Sequence, residues 1–242
     1  MKLKTTLLPL FTAAFGIVGL LFRFWNATAG TDGDGLIITG HPSTFAMTAL
    51  MVLVAVLLVF VALFMDKTPT GFQSSNIAAI GSYVAAMGLL FTAFTDINSL
   101  SLIPAGASQV SGLLSVLLCF ASVGMMIPVG LGSKCRKPVN VWFYAVILAF
   151  FIFHLLYQYQ LWTRQPQLAV FLFPLLASIC LMLAVYYRAC KDLGQPAQWQ
   201  YMVLSQAAMF FSIMAISAQN WMFYGPMAFW LLTDSLPGKE SK

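Results

Sequence analysis

The sequence predicts an all-α protein, a polytopic bundle of transmembrane helices, and two observations carry this prediction. First, 60% of the 242 residues are apolar and only 8% are charged, whereas soluble domains have about 25% charged residues. Second, the apolar residues form runs that each approach the ~20 residues an α-helix needs to cross a ~30 Å hydrocarbon core. The short alternating segments of a transmembrane β-barrel do not occur in the sequence.

Seven apolar runs are predicted spans, and the connections between them are short. One transmembrane bundle therefore covers residues 1–242, with no room for a separate soluble domain. The predicted spans lie near residues 6–24, 43–65, 77–95, 109–131, 139–159, 167–187 and 199–218.

The first predicted helix ends in FRFW at 22–25, an aromatic pattern typical of a membrane interface. Its basic start, apolar run and Ala-Thr-Ala at 27–29 also imitate a signal peptide. Arg23 and Trp25 fit poorly just before a cleavage site, so we expect this helix to be retained.

Turn-forming and capping residues separate the next helices. The second helix follows Gly-His-Pro at 40–42, and the segment 66–71 predicts a tight turn before the third. Ser or Asn at 74–76 caps the third helix, and Asp96 marks its far end. The fourth helix ends at the most basic loop, residues 132–138.

The fifth helix ends in the polar stretch FHLLYQYQLWTRQPQL at 153–168, and the sixth returns from there to Arg188. The seventh starts after Pro196, because proline is tolerated in a first helical turn. The last apolar segment, 221–233, contains Gly-Pro and is too short to span. We expect a half-depth segment packed on the outer side.

Lysine and arginine predict the orientation, because cytoplasmic loops carry an excess of both. An inside N-terminus places eight of the twelve on the inner face and four, namely Arg23, Arg164, Lys239 and Lys242, on the outer. The net charge of +5 is then explained by topology and by contact with anionic lipid heads. Without a longer basic stretch, nucleic acid is not an expected partner.

The sequence indicates neither a cofactor nor a metal. Two cysteines, Cys119 and Cys180, fall within helices, and Cys135 and Cys190 lie near inner ends where thiols stay reduced. No CxxC spacing predicts zinc or a disulfide, two histidines are a poor basis for haem, and the predicted seventh helix lacks a retinal lysine. GxSxG, HExxH and Walker motifs are also missing, which disfavours an enzyme.

Small residues at helical spacing predict contact faces on four helices, since close backbone approach drives helix association in lipid. Three of these faces end at the outer end in a polar or charged residue. The faces are Thr12, Gly16, Gly19 and Arg23; Ala78, Ser82, Ala85, Thr92 and Asp96; Ser108, Gly112, Ser115, Cys119 and Ser122; and Ser205, Ala208, Ser212, Ala215 and Gln219.

These polar residues predict an outward-facing pocket for a small polar or anionic molecule or a lipid headgroup. Asp96 lies at the negative end of its helix dipole and should need a cation, so we expect it to hold Arg23 in place. His154 lies ~22 Å along the fifth helix, in the outer third. The alternative is an ordinary headgroup zone. The candidate ligand-binding residues are Arg23, His41, Asp96, His154, Tyr157, Gln158, Arg164 and Gln219.

The leading functional hypothesis is a transport or solute-binding membrane component, working alone, as a homo-oligomer or with a membrane protein partner. Arg23 and Arg164 would bind negative charge, and His154, Tyr157 and Gln158 would line the depth of the pocket. The alternative is a non-catalytic membrane sensor or assembly subunit whose small-residue faces pack against partner helices. A lipid-modifying enzyme ranks third, because no catalytic constellation is apparent.

Four short motifs resemble a broad group of uncharacterised bacterial multi-pass membrane proteins. The resemblance implies a bacterial cytoplasmic membrane and adds no activity or functional residues. The motifs are Arg-Phe-Trp at 23–25, Gly-His-Pro at 40–42, Tyr-x-x-Trp-x-x-x-Pro-Gln-Leu at 159–168 and Tyr-Tyr-Arg-Ala at 186–189.

Overall fold

The structure, a computed structural model, describes residues 2–30, 38, 40–64, 75–100, 107–135, 137–162, 171–195 and 197–236. Within these ranges it contains eight α-helices and no strand. The helices are α1 (Lys2–Ala29), α2 (Pro42–Phe64), α3 (Asn76–Leu100), α4 (Ala107–Cys135), α5 (Val141–Trp162), α6 (Leu172–Asp192), α7 (Gln198–Ala215) and α8 (Trp221–Ser235).

Six of these helices, α1 to α6, are long and apolar enough to cross a membrane. The seventh predicted span corresponds to α7, which has 18 residues and is not among the six. Glutamines at 198, 200 and 206 lower the mean hydropathy of α7. The helix ends where the chain turns at 216–220, and there Asn220 Oδ1 accepts hydrogen bonds from Ser217 N and Oγ at 2.9 and 2.7 Å. The all-α prediction is confirmed, and six spans rather than seven meet the length and composition of a crossing helix.

Exposed aromatic residues mark both ends of α5. Trp142 and Tyr159 are 75% and 53% exposed, and the seventeen residue steps from one to the other correspond to a rise of ~26 Å. This separation matches the distance between the two aromatic belts of a bilayer. Together with the apolar helices it indicates an integral, multi-pass membrane protein.

Helices α3 to α8 form a closed ring, in which each packs against the next and α8 packs against α3. Outside this ring, α1 packs mainly on α7, and α2 packs on α1 and α7. Successive helices run in opposite directions, so the bundle has two ends. We name them the His154 end and the Arg188 end after a buried residue at each.

The segment at 221–233, predicted as a half-depth segment on the outer side, forms α8, which packs between α3 and α7 as a member of the ring and extends from the His154 end to the Arg188 end. The ring of Phe223, near its start, lies 5.0 Å from the ring of His154. Asp234, near its end, accepts a hydrogen bond from Arg188. A helix of 15 residues rises ~22 Å, which suffices to connect these two levels.

Two glycines of α3 allow α8 to approach closely. A Cβ at Gly88 would come within 2.5 Å of the Pro226 side chain and 2.8 Å of the Met222 carbonyl oxygen, and one at Gly81 would overlap Thr233. Proline at 226 cannot donate to the Met222 carbonyl four residues earlier, so the Gly88 backbone packs beside the carbonyl that the proline leaves free.

The predicted small-residue faces are buried between helices, which confirms them as contact faces. Gly16 and Gly19 of α1 lie against Ile213 and Met214 of α7. The exceptions are the half-buried Arg23 and the exposed Gln219, and the side chain of Ser108 lies outside the described residues. The buried members are Thr12, Gly16, Gly19, Ala78, Ser82, Ala85, Thr92, Asp96, Gly112, Ser115, Cys119, Ser122, Ser205, Ala208, Ser212 and Ala215.

Candidate functional site

Asp96 of α3 and His154 of α5 meet inside the ring. Asp96 Oδ2 lies 3.7 Å from His154 Nδ1, and the two residues are only 9% and 4% exposed. Ser115 Oγ of α4 lies 3.4 Å from the same ring nitrogen. Asp96 Oδ2 itself has no hydrogen-bond partner among the residues that the structure describes. Three helices therefore place an acid, an imidazole and a hydroxyl together in an apolar interior.

The imidazole of His154 is enclosed by aromatic rings. Its centroid lies 5.2 Å from that of Phe150 and 5.0 Å from that of Phe223. We expected a pocket that is open to the outside as far as His154. The structure differs, because α8 brings the side chain of Phe223 over the imidazole of His154. In the described residues the site is closed.

Two further residues border the Asp96–His154 pair. Tyr157 is 1% exposed, and its ring packs over Gly112, where a Cβ would come within 2.8 Å of Cε2. One turn along α4 from Ser115, the thiol of Cys119 donates to the Leu89 carbonyl with an S–O distance of 3.2 Å. The predicted members His154, Tyr157 and Asp96 are thus neighbours, and α4 contributes the side that sequence reasoning had identified only as a packing face.

Arg23 does not pair with Asp96, as the sequence suggested. Its Nη1 donates to the carbonyl oxygens of Met214 and Ile216, and its guanidinium lies over the Phe173 ring at 5.7 Å. The cause is the position of α1, which packs on α7 and not on α3. Arg23 therefore satisfies carbonyl groups at the C-terminal end of α7, where a cation also complements the helix dipole.

The remaining candidates lie apart from the Asp96–His154 pair. His41 Nδ1 is 2.7 Å from Ser43 Oγ, which donates to Asn26 Oδ1 at 2.7 Å, so this histidine joins α1 to α2. Gln158 is half-buried on α5, and Gln219 is exposed in the turn before α8. Arg164 lies outside the described residues.

A second buried polar cluster, which sequence reasoning missed, occupies the Arg188 end. Arg188 is 7% exposed and contacts Asp192 and Asp234, with Nε 3.6 Å from Asp192 Oδ1 and Nη1 bonded to Asp234 Oδ2. Its Nη2 donates to Ser133 Oγ at 3.2 Å. The sequence counted Arg188 only as an inner-face charge, and the Arg-x-x-x-Asp spacing on α6 was the available signal of an ion pair.

Two tyrosines complete the Arg188 cluster. Tyr144 OH donates to Asp192 Oδ2 at 2.6 Å, and Tyr201 OH donates to Asp234 Oδ2. Lys191 Nζ lies 5.5 Å from the centroid of the Tyr201 ring. Helices α4 to α8 each supply at least one member, and the formal charges of Arg188, Lys191, Asp192 and Asp234 sum to zero. No three His, Cys, Asp or Glu side chains of the described ranges lie together as metal ligands.

Aromatic side chains separate the two polar clusters. Phe150, Phe151 and Phe223 form a triangle with centroids 5.4 to 6.1 Å apart, and Tyr224 lies 4.8 Å from Phe223. Tyr224 OH lies 3.2 Å from both Ser178 Oγ and the Pro174 carbonyl oxygen. We call these four residues the aromatic layer. The ring interior is thus polar near both ends and aromatic between them.

No family model matches the chain, and no significant similarity to a curated protein or a solved structure was found. The fold defines the class, which is that of an all-α, multi-pass integral membrane protein. A finer functional assignment depends on the chemistry of the ring interior.

Proposed function

We propose that the protein is a membrane transport or solute-binding component that takes a small polar or anionic molecule into the α3–α8 ring. One observation carries the proposal. Asp96 and His154 meet inside the ring, directly against the aromatic layer, and a second polar cluster lies beyond that layer. In this proposal the described conformation is closed, and opening moves Phe223 away from His154.

The energetics of buried charge support this proposal. Ionisable side chains within membrane-spanning segments are costly and usually mark ion or substrate pathways. A purely structural contact is made more cheaply by apolar side chains, because desolvation of a buried ion pair offsets much of its attraction. Within the described part of the chain, one carboxylate oxygen of Asp96 makes no hydrogen bond, and a ligand hydroxyl or amine is suited to satisfy it.

The small-residue faces bear on the alternative, a sensor or assembly subunit. Such a subunit would present its Gly and Ser faces to partner helices in the lipid. The faces of α3, α4 and α7 are instead buried within this chain, which leaves them unavailable to a partner. The enclosure of the His154 imidazole by aromatic side chains favours this alternative. The decisive question is therefore whether the helix ring formed by α3 to α8 opens.

Cys119 offers a natural probe of that opening, because it is fully buried one turn from Ser115. The test uses the full chain in proteoliposomes with Cys135, Cys180 and Cys190 replaced by Ser. A membrane-impermeant thiol reagent should label Cys119 slowly, at a rate that changes when a bound solute shifts the closed and open populations. Single cysteines at exposed Val110 and buried Val116 of α4 provide the accessible and inaccessible controls.

A metabolite panel identifies the solute by thermal shift. A ligand at one hundred times its Kd stabilises by ~2.7 kcal/mol, which raises Tm by about 5–11 °C for a chain of this size. The shift should disappear in Asp96→Asn and persist in Ile97→Ala, at the adjacent, 43% exposed position of α3. If no solute shifts Tm and Cys119 stays as inert as the Val116→Cys control, the transport proposal fails and the structural alternative stands.

A further inference from the structure

The charge of the Asp96–His154 pair determines which solute it can accept. No lysine or arginine of the described residues forms an ion pair with Asp96, since Arg23 is bonded to the carbonyl oxygens at the end of α7. An isolated charge in an apolar interior is costly. The pair is therefore most stable when its two members hold one proton between them, because the carboxyl group and the imidazole are then both neutral or oppositely charged.

The other titratable side chains that are buried or half-buried towards the His154 end of the ring do not alter this balance. They are thiols and phenols, which are uncharged at neutral pH. Within the described residues, the charged side chains of α4, α6 and α8 lie towards the Arg188 end. The thiols and phenols are those of Cys119, Tyr157, Cys180 and Tyr224. Between about pH 5 and 8, the Asp96–His154 pair thus gains and loses protons as a unit.

The surroundings of the pair combine a carboxylate with aromatic faces. Asp96 Oδ2 accepts no hydrogen bond from the described residues, and an ammonium group has three N–H donors and no acceptor. The rings of Phe150 and Phe223 lie 5.2 and 5.0 Å from that of His154, and aromatic faces attract cations through the ring quadrupole. An anionic solute would instead meet the carboxylate and the negative faces of the rings. The site is therefore suited to an organic ammonium ion.

We propose that the Asp96–His154 site binds a small organic amine in its ammonium form, in exchange for the proton that the pair holds. This inference rests on the proposed function and narrows its solute from polar or anionic molecules to amines. When the ammonium enters, the O–H bond of the Asp96 carboxyl or the N–H bond of the His154 imidazolium breaks, and the proton leaves to water through the opened ring. The Asp96 carboxylate then accepts an N–H of the ammonium. One positive charge enters as one leaves, so the charge of the ring interior does not change.

Calorimetric titration of the full chain in detergent micelles tests the exchange, with butylamine, butyrate and butanol as probes of similar size. Butylamine should release one proton per molecule bound, which is measured as the difference in binding heat between two buffers of different ionisation enthalpy. Butylamine itself stays protonated below about pH 9, as a lysine side chain does. Each pH unit on the acid side of the pair's titration should therefore lower its Kd by about tenfold. Butyrate and butanol should bind at least about tenfold more weakly, because neither supplies a cation to the carboxylate.

Two pairs of variants locate the bound amine. Asp96→Asn should abolish both butylamine binding and proton release, whereas Ile97→Ala, at an exposed position of the same helix, should keep both. Phe223→Leu should raise the Kd of butylamine by about fivefold, because it removes one aromatic face from the site. Phe229→Leu, at a 41% exposed position of α8, is the matched control and should leave the Kd unchanged.

Four results would overturn the inference. Butylamine binding without proton release would remove the exchange, and butyrate binding with proton uptake would reverse the charge of the solute. Equal effects of Phe223→Leu and Phe229→Leu would remove the aromatic layer from the site. Failure of butylamine to bind would remove the amine. Each of these results leaves the transport proposal standing, since that proposal fails by a separate observation, a Cys119 thiol that stays inert in proteoliposomes.

Discussion

Replacement of Asp234 by Asn should destabilise the protein by about 3 kcal/mol. The Asp234 carboxylate accepts hydrogen bonds from both Arg188 and Tyr201, and all three groups are buried. The substitution keeps the shape of the side chain and removes its charge, so Asp192 at 3.6 Å is the one counter-ion that Arg188 retains among the described residues. Loss of one partner of a buried ion pair typically costs 3–5 kcal/mol, and the amide oxygen, which still accepts a hydrogen bond, places the value at the lower limit.

The measurement is equilibrium unfolding of the full chain in mixed micelles, accompanied by a thermal melt. For a chain of this size, ~3 kcal/mol corresponds to a decrease in Tm of about 6–12 °C. Ser235→Ala is the matched control on the same helix, because its hydroxyl makes only a 3.4 Å contact with Ser205 Oγ. That control should cost no more than about 1 kcal/mol.

A double-mutant cycle decides whether the loss arises from the ion pair. Arg188→Met together with Asp234→Asn should cost at least about 2 kcal/mol less than the sum of the single changes, because the second change finds no partner left to lose. Additive effects, or an Asp234→Asn variant within ~0.5 kcal/mol of the wild type, would refute the buried ion pair as the force that holds α8 at the Arg188 end.

Two other predictions concern helix packing. Gly88→Val should lower the free energy of unfolding by about 1–3 kcal/mol, because the new side chain meets Pro226 at a backbone contact that cannot relax. The control Gly124→Val has open space around its Cα and should change that free energy by no more than ~0.5 kcal/mol. Similar losses at both positions in a thermal melt would contradict the close α3–α8 contact. The charge swap Arg23→Asp with Asp96→Arg should show no rescue, since the two residues lie on helices that do not share an interface; recovery of the melting temperature by the double variant would contradict the assigned neighbours of both residues.

The positions of the helices along the chain were predictable because the thickness of the hydrocarbon core sets the length of an apolar helix. The spacing of small residues indicates which face of that helix packs against its neighbours. The run at 109–131 became α4, and Gly112, Ser115 and Cys119 are buried as their spacing predicted. The expected depth of His154 rests on the same fixed rise per residue and stays a prediction. The position of a residue along a helix and the helix face on which it lies are both properties of a single helix, so both can be predicted from the sequence of that helix.

The order of helices around the bundle was not predictable, and the wrong partner for Asp96 follows from that. Arg23 and Asp96 were expected to pair because both were predicted near the same ends of their helices. A shared height along the bundle does not determine which helices are neighbours. The segment at 221–233 was predicted, but its packing in the ring as α8 was not, for a related reason. Its Gly-Pro pair lowers its apparent capacity to form a buried helix, and only the fit of Pro226 against Gly88 shows why the interruption is tolerated.

The return of α8 to the Arg188 end also fixes the last described helix at both of its ends. Phe223, near the start of α8, packs on the imidazole of His154, and Asp234, near its end, is bonded to Arg188 and Tyr201. A rigid displacement of α8 therefore changes both polar clusters at once, which couples the two ends of the bundle mechanically.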